Sequence, residues 1–251
     1  MLAETAPAQD RPFGFTVTTG TSVATTGSEG RSWTTYYDAG YAERTAEPFG
    51  YDGVEQRFGV QGRLGGGFTV LGQLGLGLAA DATRSSQQAE LLKDVLAPTS
   101  GLRLAVGLGA RREWEGTSAA LARVCLGWSH GGSLFSGNVL LERPFGSGRD
   151  AVDVLTTVGW LQGVGRGLRL GVEAVGEDLE GFWEAEEAEG GAKLFVGPAL
   201  HWAAPAGRLW LSAGGGPVVY ATHSDRSSPA PRPLGANGNG YTVRVSMGYR
   251  F

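Results

Sequence analysis

The stretch Tyr241-Thr242-Val243-Arg244-Val245-Ser246-Met247-Gly248-Tyr249-Arg250-Phe251 decides the fold class. Tyr241, Val243, Val245, Met247, Tyr249 and Phe251 fall on one phase; Thr242, Arg244, Ser246, Gly248 and Arg250 fall on the other. A strict period of two means a strand with one apolar and one polar face. The pattern recurs upstream. Leu102, Leu104, Val106, Leu108 and Ala110 oppose Arg103, Ala105, Gly107, Gly109 and Arg111, and Leu168, Leu170, Val172 and Ala174 oppose Arg169, Gly171 and Glu173. Leu194, Val196, Pro198, Leu200 and Trp202 oppose Lys193, Phe195, Gly197, Ala199 and His201.

A soluble sandwich also alternates, but it needs a dense inner layer between two sheets. Here the phase opposite the apolar one is rich in Gly, Ser, Thr and Arg. A transmembrane barrel puts apolar residues toward lipid and polar ones toward the lumen. It must close, because an open edge in hydrocarbon leaves backbone groups unpaired. Ten steps from Tyr241 to Phe251 at about 3.3 Å, tilted by about 40°, rise roughly 25 Å, the height of an apolar band. Aromatics near strand ends (Phe13, Trp33, Tyr41, Phe68, Trp128, Trp160, Trp202, Tyr220, Tyr241, Phe251) suit two interfacial girdles. The expected fold is all-β: a closed antiparallel transmembrane β-barrel.

The terminal strand and its ending Gly248-Tyr249-Arg250-Phe251 resemble those of bacterial outer-membrane β-barrel proteins, a porin-like superclass. The resemblance implies an outer-membrane location and contact with outer-membrane lipid. It also implies an assembly signal at Tyr249 and Phe251, read by the barrel assembly machinery. It further implies short periplasmic turns and longer outer loops.

Composition agrees. Of 251 residues, 43 are Gly, without a three-residue period, which excludes collagen. Hydrophobic residues are 41%, too many for a disordered chain. The net charge of −4 gives no reason to expect nucleic acid as a partner. Cys125 is the sole cysteine, so no intrachain disulfide forms; a small residue inside a strand is its expected role. No run of about 18 apolar residues suggests a transmembrane helix. The first residues, Met1-Leu2-Ala3-Glu4-Thr5-Ala6, show no signal-peptide pattern, which alone suggests a cytoplasmic protein; the barrel pattern of the rest says otherwise, so a mature chain with its leader removed is expected.

Twelve strands are expected at 13–25, 31–42, 54–64, 67–79, 101–112, 117–128, 133–143, 151–162, 166–177, 192–203, 207–221 and 240–251, with ten as the alternative count. Residues 1–12 read as a flexible periplasmic tail, and 13–251 as one barrel domain. Counting back from the C-terminus, Thr222–Asn239 and Glu177–Gly191 are outer loops and Ala204–Ala206 a periplasmic turn. The same count puts the tight Gly65–Gly67 turn outside and the long Ala80–Ser100 segment in the periplasm, against the usual asymmetry. Within that segment, Leu92, Val95 and Leu96 have helical spacing, so a short helix is expected there.

The lumen-facing phase carries Arg57, Arg63, Arg103, Arg123, Arg169, Lys193, Arg244 and Arg250, against Asp38, Glu55, Glu142, Asp153 and Glu173. An open lumen with that cationic excess favours anions; charges paired across a narrow barrel would block it. The loop after residue 176 gathers Glu177, Asp178, Glu180, Glu184, Glu186, Glu187 and Glu189 around Phe182 and Trp183. It reads as a solvated loop, with Glu180, Phe182, Trp183, Glu184, Glu186 and Glu187 as an alternative contact surface. No Asp-x-Asp-x-Asp-Gly order or other metal motif occurs, and no cofactor is expected. His130, His201 and His223 are the only histidines. Neither His130, followed by Gly131-Gly132-Ser133, nor His223, followed directly by Ser224, matches the His-x-Ser pattern of the outer-membrane phospholipase and lipid A deacylase families. Hydrolysis is therefore a remote alternative, and no enzyme is expected. The Gly163-Val164-Gly165-Arg166-Gly167 stretch reads as a hairpin turn.

The leading expectation is a small porin-like channel for polar or anionic solutes. The alternative is a structural barrel that docks other envelope proteins, favoured by the Ala80–Ser100 segment and the acidic loop.

Overall fold

The computed structural model describes residues 32–45, 51–79, 83–96, 102–113, 118–145, 151–177, 179–183, 192–205, 207–222 and 240–251. They form twelve antiparallel strands: β1 Ser32–Thr45, β2 Tyr51–Gly65, β3 Phe68–Ala79, β4 Thr83–Leu96, β5 Leu102–Glu113, β6 Ser118–His130, β7 Ser133–Phe145, β8 Asp153–Gly165, β9 Leu168–Glu177, β10 Lys193–Ala203, β11 Leu209–Tyr220 and β12 Gly240–Arg250. Each strand pairs with its sequence neighbours, and β12 pairs with β1 to close the barrel. At the seam Phe251 N donates to Trp33 O at 3.0 Å and Trp33 N to Phe251 O at 3.2 Å. No backbone edge is left for lipid to face.

Two sequence expectations change. The stretch 83–96 is strand β4, not a helix. Its Gln, Glu, Leu and Lys are good helix formers, but its backbone pairs with β3 on one side and β5 on the other. The β3 and β5 edges would otherwise lie open in hydrocarbon, and that cost outweighs local propensity. The stretch 13–25 lies outside the described residues, as does the tail 1–12, so the twelve strands are reached by β4 in place of the first expected one.

The extra strand restores the expected asymmetry. Gly66-Gly67, Gly131-Gly132 and Arg166-Gly167 now all lie at one end, together with the outer ends of β1 and β12. All three are two-residue turns with both central φ angles positive, the form that matches the twist of a hairpin. Arg166, at φ 52°, is the one described non-Gly residue in that region. The strand ends joined by 178–192 and by 221–239 lie at the opposite end.

The outward face is apolar along the middle of the strands. Leu108 is 71% exposed, Val196 59% and Val245 51%, values that suit lipid and not a dry core. Trp33, Phe68, Trp128, Trp160 and Phe251 are exposed toward the two-residue-turn end, and Tyr41 and Tyr241 toward the other, so aromatics border the apolar band on both sides. Phe13 lies outside the described residues. Inward, glycine lets aromatic rings lie against the wall. The Tyr36 ring covers Gly59 on β2, and the Trp210 ring covers Gly248 on β12. A Cβ at Gly59 would overlap the Tyr36 ring. Gly59→Val is expected to destabilise the barrel by about 1–3 kcal/mol, read as a lower urea midpoint. Tyr36→Ala in the same chain should recover part of the loss; no recovery would mean that the ring is not the obstacle.

Candidate functional site in the barrel lumen

Residues directly opposite one another in the register share a face. One inward row therefore runs Thr34, Gln61, Leu71, Glu90, Gly109, Leu121, Glu142, Asp153. The neighbouring inward rows hold Arg63, Arg123 and Leu140, then Asp94, Cys125, Asn138, Thr157, Phe195 and Val218. The same register turns all thirteen of the sequence-selected charges inward. It adds Arg111, Glu90, Asp94 and Glu177, which the sequence selection left out. The described lumen then holds nine cationic and eight anionic side chains. The expected cationic excess of three therefore shrinks to one.

Ion pairs join many of these groups. Arg123 grips Glu90 with two bonds, Nε to Oε2 and Nη2 to Oε1, each 2.7 Å, and Gln88 Nε2 adds a third to Oε1 at 2.6 Å. Arg111 pairs with Glu142, Arg244 with Glu173, and Arg57 with Glu55. Arg63 lies 3.4 Å from Asp94, and Lys193 lies 3.9 Å from Glu177. The Tyr36 hydroxyl donates to Gln73 Oε1 at 3.1 Å, and Asn138 Nδ2 to Thr157 Oγ1 at 3.3 Å.

Side chains crowd the middle of the lumen. Twelve strands about 4.8 Å apart and tilted about 40° enclose a backbone circle roughly 24 Å across. Yet Arg123 and Glu90 are each only 3% exposed, although a water-filled lumen would leave them accessible. Two apolar clusters flank the charges on the wall: Leu71, Leu92, Ala105 and Cys125, and Val175, Phe195 and Val218.

The charges are graded along the barrel axis. Arg63, Arg103, Arg169 and Arg250 lie near the two-residue-turn end, with Asp94 as the only described lumenal carboxylate there. Near the other end, among the described side chains, Glu55, Glu142, Asp153 and Glu177 outnumber Arg57, Arg111 and Lys193. The residual cationic character is therefore concentrated at one mouth.

The acidic loop divides. A single 3-10 turn spans Leu179–Phe182. Glu180 is buried, and its Oε2 accepts the Val154 backbone N–H at 2.7 Å, so it anchors the loop to β8 instead of offering an exposed contact. Glu177 is likewise buried beside Lys193. Phe182 and Trp183 are exposed, while Glu184, Glu186 and Glu187 lie outside the described residues. Tyr249 and Phe251 face outward at the seam, ring centroids 6.1 Å apart. Among the histidines, His201 Nδ1 lies 2.8 Å from Ser212 Oγ, and His130 stacks on Trp128. Among the described residues no carboxylate is bonded to His201 to orient it, as a hydrolytic triad requires. His223 lies outside them.

Solved structures share this architecture. The KdgM porin aligns with a TM-score of 0.54 at 10% identity, over 86% of this chain and 99% of the porin. The fold is that of an outer-membrane β-barrel protein. The same porin solved with disordered oligogalacturonate aligns with a TM-score of 0.57 at 10% identity, over 87% of this chain and 99% of the porin. An outer membrane channel from Pseudomonas putida F1 gives 0.57 at 9% identity, over 88% of this chain and 96% of the channel. No family model and no curated protein matches the sequence. Of the two features that favoured a docking barrel, the 80–100 segment contains wall strand β4, and part of the acidic loop is tied to the barrel.

Proposed function

We propose that the chain is an outer-membrane channel for small polar solutes, attracting anions at its turn-end mouth and narrowed at mid-height by the Arg123–Glu90 group. One observation carries the reading: a wall apolar outside and charged inside, whose lumenal arginines Arg63, Arg103, Arg169 and Arg250 outnumber the described carboxylates at one mouth. A low-dielectric wall focuses the field of such a ring, so the mouth concentrates anions. The neutralised ladder beyond it does not hold them tightly, which passage requires. Its two-residue turns support reading this mouth as the periplasmic one, since periplasmic turns of such barrels are short.

Planar-bilayer recording tests this. A small unitary conductance is expected, with a reversal potential in a salt gradient that favours anions. Replacing Arg63, Arg103 and Arg169 together by Gln should move selectivity toward neutrality without loss of the folded barrel. A folded wild-type barrel that carries no current, or that prefers cations, overturns the proposal.

A further inference from the structure

The outward face carries few charges. Among the described strand side chains, the register turns only Arg112, Arg143 and Lys93 toward lipid. Lys93 lies at the turn end, where it donates to Gly66 O and sits 4.3 Å over the Phe68 ring. Arg112 and Arg143 lie at the opposite end, one residue from the end of β5 and two from the end of β7. Both are exposed, and among the described residues neither makes an ion pair or hydrogen bond.

Directly beside them the wall is hollowed. The outward row Gly72, Ala89, Ala110, Ala120 runs straight across β3 to β6 and meets Arg143 on β7. Small side chains there open a groove of about 650 Å³ on the outer face, walled by Phe58 and Leu74 and reaching Arg112. A Cβ added at Gly72 would touch nothing, so the groove floor is vacant at that point. Gln87 and Ser118 flank Arg112 in the row nearer the loops. The two arginines are two strands and one residue pair apart, roughly 12 Å between Cα atoms. A disaccharide bearing a phosphate at each end spans a similar distance.

We propose that this face binds a phosphorylated, acylated glycolipid of the outer leaflet, phosphates on Arg112 and Arg143 and one acyl chain in the groove. Two guanidiniums that meet no carboxylate among the described residues ask for anionic partners at the level of lipid headgroups, and guanidinium binds phosphate with charge-assisted, bidentate hydrogen bonds. The adjoining apolar groove asks for hydrocarbon. An anionic amphiphile supplies both at once. The proposal rests on the outer-membrane location with loops facing out, not on conduction through the lumen, so a non-conducting barrel leaves it standing.

The test uses the full chain, stripped of lipid in detergent and titrated with bisphosphorylated lipid A under native mass spectrometry. One tightly held lipid per barrel is expected. Arg112→Gln with Arg143→Gln should weaken retention about tenfold or more, as should removal of both phosphates from the lipid. Ala89→Trp, which fills the groove and leaves the charges, should weaken it independently. A heat-modifiable band on gels confirms that each variant is folded. Unchanged binding by both variants, equal binding of the dephosphorylated lipid or of phosphatidylglycerol, or displacement by inorganic phosphate at equal affinity overturns the proposal. So does a second copy of the chain seated in the groove.

Discussion

Arg123→Ala should lower the unfolding free energy of the barrel by about 3–5 kcal/mol, the largest single-site loss expected among lumenal substitutions. The arginine is buried and closes a two-bond clamp on Glu90 that nothing else can replace. Removing it leaves a carboxylate with one remaining side-chain partner, Gln88, among the bonds described. Truncating one member of a buried pair costs more than the pair is worth, because the other charge stays desolvated. The double substitution Glu90→Leu with Arg123→Met removes both charges and keeps most of the volume. It should recover nearly all of the loss, since well-packed apolar groups often replace a buried ion pair at no net cost. Urea midpoints of the folded protein in lipid vesicles, with unfolding followed by tryptophan fluorescence, measure both. A loss below about 1 kcal/mol for Arg123→Ala, the value of a solvated pair, would mean that water reaches the clamp. In that case mid-height is open, and the constriction lies elsewhere. A third variant, Glu90→Ala with Arg123→Ala, empties the same level and should raise unitary conductance above that of the wild type.

The barrel was legible because lipid enforces a period of two on every strand. Eleven strands coincide with stretches in which Leu, Val and aromatic residues alternate with Gly, Ser, Thr and Arg. β4 was hidden by its own composition. Its outward Leu91, Lys93 and Val95 and inward Leu92 and Asp94 place charged and apolar residues on both faces, so no clean alternation survives. Only the need to pair β3 with β5 makes it a strand, and that need is a property of the closed wall, not of residues 83–96. The lumenal charges were readable by phase wherever the strand was recognised, which is why Glu90 was missed. Arg111 and Glu177 lie on the lumenal phase of strands that the sequence does reveal, at their loop ends, where alternation alone does not mark a side chain as lumenal. Pairing was not readable, because Arg111–Glu142 and Arg123–Glu90 join strands that the sequence keeps 31 and 33 residues apart. Glu180 misled for a different reason: among many carboxylates in one loop, nothing local marks the one that turns in to meet Val154 N.

Val245→Arg should cost about 2–4 kcal/mol, while Val245→Ala should cost at most about 1.6 kcal/mol, the transfer value of two methylene equivalents. Val245 is the middle residue of β12, faces outward, and lies between Ala39 of β1 and Ala213 of β11 in the register. At mid-strand the outward side chain sits near the bilayer midplane, where an arginine has no water to reach and must thin the bilayer or drag headgroups inward. An alanine there leaves no cavity, because mobile acyl chains close over it. A dry protein core would behave differently: the Val-to-Ala change would add a cavity term to the transfer term. The ratio of the two losses therefore reports what surrounds the outer face. Refolding into vesicles of increasing acyl length sharpens the comparison, since a thicker hydrocarbon layer lengthens the path to water. The arginine penalty should grow with thickness and the alanine penalty should not. Equal penalties for the two variants, unchanged by lipid thickness, would mean that the outward stripe of β12 packs against protein, and the assignment of that face to lipid would fall.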